Sequence, residues 1–256
     1  MNYKLLMDVA LLAGEIMLTS GAETYRVEDT MCRILRTSNL EKTEAFVTAT
    51  GIFATLDDIS IDAITLVKRV NLRSTNLNLI YLVNNISRKL CNNEIELVAA
   101  YQELKEIKTQ VQYPDILIWL TTIATSAFFS VVLGGAWKDC IISAVNGFFI
   151  VLCIIISKKI HANQFITNMV ASILIAINTM VYVNLIGHYV NNEIIIAGSI
   201  MPMVPGVAIT NAVRDTLQGD YMSGVTRAME AFLIAASIAV GIGAGLSIFS
   251  YVIGGI

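Results

Sequence analysis

Residues 200–215 read Ile-Met-Pro-Met-Val-Pro-Gly-Val-Ala-Ile-Thr-Asn-Ala-Val-Arg-Asp, with two prolines and a glycine inside an apolar stretch. Pro202 and Pro205 remove backbone donors, and Gly206 weakens the helix further, so carbonyl oxygens are freed that must face protein or water. In a membrane helix such a break is either a kink absorbed by packing or the wall of a polar solute site near the midplane. Thr210, Asn211, Arg214 and Asp215 follow, with Thr210 sharing a helical face with Arg214, and Asn211 with Asp215. Arg214 suits an anionic solute group, or else pairs with Asp215 or Asp220. Asn146 and Asn178, like Asn168 and Asn184, lie in apolar runs. There they either tie helices together or line the same pathway. Asp215, Asp220 and Glu230 are the acidic residues able to carry a proton near such a path, although Glu230 can also pair with Arg227 at i,i+3.

A second set lies near the N-terminus. Glu15, Glu23, Glu28 and Asp29 flank Gly21, where two helices are expected to meet. They form either a carboxylate cluster or a solvated helix entry with Arg26 as counter-ion. Asp57, Asp58 and Asp62 read as an acidic turn, with cation binding the rarer alternative. The histidines are His161 and His188, both outside residues 1–114, so no Ser-His-Asp, Cys-His or His/Cys zinc arrangement can form there. No enzyme activity, metal or cofactor is expected. The cysteines, at 32, 91, 140 and 153, lack C-x-x-C spacing and read as reduced packing residues. No long basic stripe appears, which argues against nucleic-acid binding.

The elements that must hold these residues divide sharply. Residues 1–114 carry 12 Lys/Arg and 14 Asp/Glu, whereas residues 115–256 carry 5 and 6. The first part is expected to be an α+β domain, helix–helix, three strands, helix–helix. Helical stripes fall at 3–19, 23–38, 75–91 and 94–108, and β-type runs at 43–50, 52–56 and 63–70. The second part is expected to be an all-α polytopic membrane domain of about five helices, at 116–136, 140–157, 164–186, 194–213 and 228–250, since about 20 apolar residues cross a bilayer. Gly241 and Gly245 lie in an apolar helix, so close helix packing is expected there rather than a nucleotide loop. Lys158, Lys159, Arg214 and Arg227 flank two loops, against Lys138 on the other side. That bias places the N-terminal domain in the cytoplasm and the C-terminus outside. No signal-peptide pattern is visible, which agrees.

Gly21-Ala22-Glu23-Thr24-Tyr25-Arg26-Val27-Glu28-Asp29-Thr30-Met31, then Val47-Thr48-Ala49-Thr50-Gly51-Ile52, then Pro205 to Asp215 and Gly219-Asp220 together resemble the threonine/serine exporter family, over nearly the whole chain and in order. Alanine 49 before Thr50-Gly51-Ile52 departs from the family's Pro-Thr-Gly-Ile type motif. The resemblance implies an inner-membrane exporter of small hydrophilic metabolites, threonine and serine in some members and dicarboxylates such as succinate in others. It implies energy from the proton gradient. Many members carry a further block of four or five helices, so a separate small membrane subunit is expected as partner. A hydrolase-like role for the N-terminal domain, or a purely regulatory role beside another transporter, are the alternatives.

Overall fold

The computed structural model describes residues 2–70, 74–110, 113–186 and 190–253. His188, with Gly187 and Tyr189 of the loop expected to follow the third span, lies outside them. The chain divides into two compact units, one of residues 1–111 and 206–230, the other of residues 112–205 and 231–256.

The first unit opens with α1 (Tyr3–Thr19) and α2 (Thr24–Arg36). Asn2 caps α1 by accepting from Leu5 N at 3.1 Å. At its other end Gly21 takes φ +83°, which lets Ala22 N reach Met17 O at 3.0 Å and Gly21 N reach Leu18 O at 3.2 Å. This reversal satisfies carbonyls that a helix end leaves orphaned, and glycine is the residue it favours. Three antiparallel strands follow in the order β1 (Lys42–Thr48), β2 (Gly51–Asp58), β3 (Ile61–Arg69). Val47, Ile52, Ala54 and Leu56 face the core. The opposite face holds Phe46, Phe53 and Val67 in register and exposed. Helices α3 (Leu77–Cys91) and α4 (Leu97–Thr109) complete the core with Val83 and Leu104. The acidic turn is closed internally. Asp58 accepts from Ser60 N at 2.9 Å and Glu41 N at 3.0 Å, and Asp57 pairs with Lys42.

Helix α9 (Gly206–Leu217) and the first three turns of α10 (Tyr221–Ile253) belong to this same unit. The sequence expectation assigned them to the membrane half. The grouping has a physical source, because Asn211, Arg214 and Asp215 of α9 meet the Gly21 carbonyl, the Glu23 carboxylate and the Thr24 donors at the entry of α2.

The second unit contains α5 (Asp115–Val132), α6 (Trp137–Ile160), α7 (Gln164–Ile186), α8 (Asn192–Ile200), a 3-10 turn (Met201–Met203) and the rest of α10. Helix α5 stops short of 136, where Gly134 takes φ +92°. Helix α6 begins earlier than 140, because Asp139 accepts from Ala136 N at 2.8 Å and caps it. The stretch 194–213 is not one helix but α8, the 3-10 turn and α9, interrupted at Val204-Pro205. Four helices are long and apolar enough to cross a membrane, and a fifth if that interrupted pair forms one span. The chain is thus mostly helical, with four or five candidate spans and one small sheet.

Small residues let these helices approach closely. A Cβ on Gly198 would sit 2.6 Å from Ser130 N, and one on Gly245 would sit 2.7 Å from Ala176 Cβ, whereas one on Gly243 would meet nothing within 4 Å. Gly241 and Gly245 both abut α7, the close packing their spacing suggests. Gly198→Ala is expected to destabilise the detergent-solubilised protein by about 1–3 kcal/mol through overpacking. Gly243→Ala is expected to leave the thermal unfolding midpoint unchanged. Equal midpoints for the two variants would contradict this packing.

Candidate functional site

The short connector between α1 and α2, residues Gly21 to Thr24, is the most heavily gripped segment of the first unit. Asn211 Nδ2 donates to Gly21 O at 2.7 Å. Arg227 Nη2 donates to Ala22 O at 2.7 Å. Arg214 Nη1 pairs with Glu23 Oε1. Thr24 donates twice to Asp215, from its backbone N at 3.0 Å and its hydroxyl at 3.2 Å. Four consecutive residues are therefore held by four side chains from a segment about 190 positions later. From the other side, Asn76 N reaches Ser20 O at 2.9 Å.

Each grip follows from local structure. Pro205 lacks a donor and has a fixed φ, so α9 starts cleanly at Gly206. One helical turn then places Asn211, Arg214 and Asp215 on one face, at i, i+3 and i+4. Gly219, at φ +90°, lets Asp220 N reach Asp215 O at 2.9 Å and ends α9. Asp220 then caps α10 by accepting from Ser223 N at 3.3 Å. The reversal brings Arg227 of α10 back to Asp215 of α9.

Asp215 is fully buried and Arg227 is 3% exposed, with Arg227 Nε 2.9 Å from Asp215 Oδ2. Both carboxylate oxygens are engaged, by two Thr24 donors and by the Arg227 guanidinium, which is what a buried charge requires. It also acts as the N-terminal cap of α2, since Glu23, at the cap position, makes no side-chain cap bond. An anion beside the first N–H groups of a helix is favoured by the helix dipole.

Glu23 is also buried, with its second oxygen 3.2 Å from Arg26 Nη1. Burial by itself pushes this carboxyl up, but a backbone hydrogen bond, the Arg214 hydrogen bond and the charges of Arg26 and Arg214 outweigh it. The carboxyl is held below its ordinary value. Glu28 goes the other way, raised by burial despite accepting from Val47 N at 2.8 Å, with Asp220 adding repulsion.

Of the two alternatives for the acids around Gly21, a carboxylate cluster is not seen among the described residues, and Arg26 does pair with Glu23. Glu15 is bound by Lys108 at 2.9 Å and Lys68 at 3.4 Å, Asp29 by Arg33 at 2.9 Å, and Glu28 by the β1 backbone. Among the described residues no group of three metal-ligating side chains is present. Thr50 and Gly51 sit at the β1–β2 turn, where Thr48 Oγ bonds Gly51 O at 3.3 Å. The four cysteines are free thiols.

Beside the connector lies a cavity of about 690 Å³, reached by Glu23, Arg26, Thr210, Asn211 and Arg214, with Tyr81, Asn84, Asn85 and Arg88 of α3 opposite. Asn146 and Asn178 belong to the second unit and join each other there. Asn178 Nδ2 donates to Asn146 Oδ1 at 2.8 Å, while Asn146 Nδ2 donates to Ser199 Oγ at 2.9 Å and Thr179 Oγ at 3.1 Å. Pro202 and Pro205 also lie in that unit. The site residues expected from sequence are thus divided, with Asn146, Asn178 and the prolines in one unit and Gly206 to Glu230 with the N-terminal motif in the other. Thr24 and the cationic partner of Asp215 escaped sequence reasoning. A buried aspartate in need of a counter-ion was the available signal, and Arg227 is one of only two Lys/Arg between residues 206 and 230.

A helical chain with four or five candidate spans and a charged α+β unit defines a polytopic membrane protein. The threonine/serine exporter family model matches residues 8–249, and the chain belongs to that family. It is 21% identical over 241 residues to "Probable threonine/serine exporter" of Mycobacterium tuberculosis, covering 92% of this chain and 45% of that protein. It is 21% identical over 262 residues to "Threonine/serine exporter" of Corynebacterium glutamicum, covering 94% of this chain and 51% of that protein. The chain spans about half the length of these curated relatives. No solved structure matches it.

Two outcomes follow. Arg227→Met is expected to cost about 3–5 kcal/mol, because it strands a buried carboxylate. Arg214→Gln, at a side chain 56% exposed, is expected to cost under about 1 kcal/mol. Thermal unfolding of the two variants checks the contrast. A depressed Glu23 pKa means its ionic contribution is complete above the ordinary carboxylate value. That contribution fades as pH falls through the lowered one. Glu23→Gln should therefore lower stability at pH 7 and converge with the parent in stronger acid.

Proposed function

We propose that this chain is the larger subunit of an inner-membrane exporter of small polar metabolites, threonine or serine, or dicarboxylates such as succinate. Its relatives' names and its candidate spans support export, and the grip of α9 and α10 on residues 21–24 is the observation that carries the mechanism. The segment 1–114 works from the cytoplasm, with the chain's C-terminus outside. Spans at 116–136, 140–157 and 164–186, with the interrupted stretch and α10, form the membrane part. A separate small membrane subunit completes the pathway, and the proton gradient drives it.

In this reading Pro202, Pro205 and Gly206 provide the break, while Thr210, Asn211 and Arg214 present polar groups to the solute. Asn146 and Asn178 supply amides along the route. Asp215, Asp220 and Glu230 are the groups through which proton movement is coupled. Asp215 is the best placed of the three, because protonation would weaken its hold on Arg227 and on the start of α2 at once. Glu15, Glu23, Arg26, Glu28, Asp29, Thr50 and Gly51 shape the cytoplasmic side and perform no catalysis.

The test is efflux of L-threonine, L-serine and succinate from vesicles holding this chain with its small partner, under an imposed proton gradient. Export is expected to collapse on adding an uncoupler. Asn211→Ala and Arg214→Ala should each slow it at least tenfold, about 1.4 kcal/mol, while both proteins remain folded. Export at the parent rate in both variants would remove α9 from the pathway, and no export of any of the three solutes would sink the reading.

A further inference from the structure

The cavity beside the connector has an unbalanced charge. Three guanidinium groups reach it, Arg26, Arg88 and Arg214, against the single carboxylate of Glu23. Glu23 is engaged on both oxygens by Arg26 and Arg214. Arg88, in the last turn of α3, makes no ion pair within 4.0 Å among the described residues, although its other side borders a groove with Glu94, Glu103 and Glu106. The lining therefore keeps a net charge of about two positives. Arg26 and Arg214 are also only part-buried, at 42% and 56% exposure. Each retains donors beyond those spent on Glu23, because a guanidinium carries five. Gly206 and Val207 contribute the start of α9 to the same wall, where backbone N–H groups have no partner within the helix. Asn84 and Asn85 add side-chain amides.

A surface that needed these arginines only for solubility would not gather three of them in one concavity around a buried acid. We propose that this cavity is a binding site for a small doubly charged anion, held by Arg88 on one wall and by Arg26 and Arg214 on the other. Planar forked donors match carboxylate and phosphate oxygens alike. The shared chemistry is therefore a compact dianion, either a dicarboxylate or a phosphate group. An amino-acid zwitterion fits less well. Its ammonium group would need an available carboxylate, and Glu23 is already shared between two arginines. The ligand also meets the connector's grip directly, because it competes with Glu23 for Arg214. The proposal rests on the export reading for its biological meaning, but not for the binding itself.

Isothermal titration of the full-length protein in detergent tests it, with succinate, inorganic phosphate and L-threonine as probes. Succinate or phosphate is expected to bind one per chain, and more weakly as ionic strength rises. Arg88→Gln should weaken that binding at least tenfold, and Arg88→Lys should retain part of it. Arg88 is exposed, so both variants should keep the parent's unfolding midpoint. Binding of succinate alone identifies a dicarboxylate site, and binding of phosphate alone a phosphate site. Absence of binding by both, an unchanged affinity in Arg88→Gln, or L-threonine binding as tightly as the dianions would overturn the assignment. Dianion binding without vesicle export would sink the exporter reading and leave this one standing. Export with Arg88-independent binding would do the reverse.

Discussion

A carboxylate with no access to water must be answered by cations and donors, and in this protein that requirement organises a whole unit. Asp215 is fully buried, and its three partner groups come from two helices: Arg227 on α10, and the amide and hydroxyl of Thr24 on α2. Removing any one partner leaves a charge whose desolvation is no longer repaid. The turn at Gly219-Asp220 therefore has to be tight enough to fold α10 back on α9, and the turn at Gly21 has to present the start of α2 to them. Both turns use a left-handed glycine followed by a donor that reaches back to the third-last residue of the helix. The same small device recurs at both sides of one buried ion pair.

Periodicity carried most of the element pattern. The stripe Leu6, Val9, Ala13, Ile16, Met17 reads as one buried helical face in sequence and is one in the structure. Alternation in β2 likewise puts Ile52, Ala54 and Leu56 inside. What periodicity could not carry was the set of polar partners that α9 meets. By composition it continues an apolar stretch, so a hydropathy reading runs it together with α8. Its partners are charged side chains far away in sequence, and hydropathy has no term for pairing across about 190 residues. For the acidic residues around Gly21 the sequence left a cluster and a solvated helix entry both open, and partners distant in sequence decided between them. Each of Glu15, Asp29 and Glu28 found a different cation or backbone amide once the strands and α4 were in place.

The second unit answers the same demand with neutral groups. Asn146 uses both amide hydrogens and its carbonyl on Ser199, Thr179 and Asn178. Ser199 passes its own proton back to Ile195 O at 2.6 Å, and Ser126 donates to Ser199 O at 3.2 Å. Amides in an apolar bundle are costly when left open, and here they close on each other and on backbone. Such closure is compatible with glue and with a route alike, because hydrogen bonds among neutral groups can be exchanged for bonds to a passing solute at little net cost. Gly147 and Gly198 belong to the same arrangement. A Cβ on Gly147 would stand 2.8 Å from Ile123 Cα, so the helices are near enough for short side chains to reach each other.

The connector at residues 21–24 is fixed largely by side chains distant in sequence. Two of its carbonyls are bound by side chains, of Asn211 and Arg227, where a helix or ladder would have used backbone. Backbone pairing within an element is lost only when the element melts. A side-chain grip can open while both helices stay intact, because it needs only a rotamer change or a shift of the helix that carries it. Arg227 lies on α10, which is helical from Tyr221 to Ile253, so the residue that neutralises Asp215 shares a helix with a long apolar segment. A charge balance of this kind holds in one arrangement of the side chains and is lost in any other.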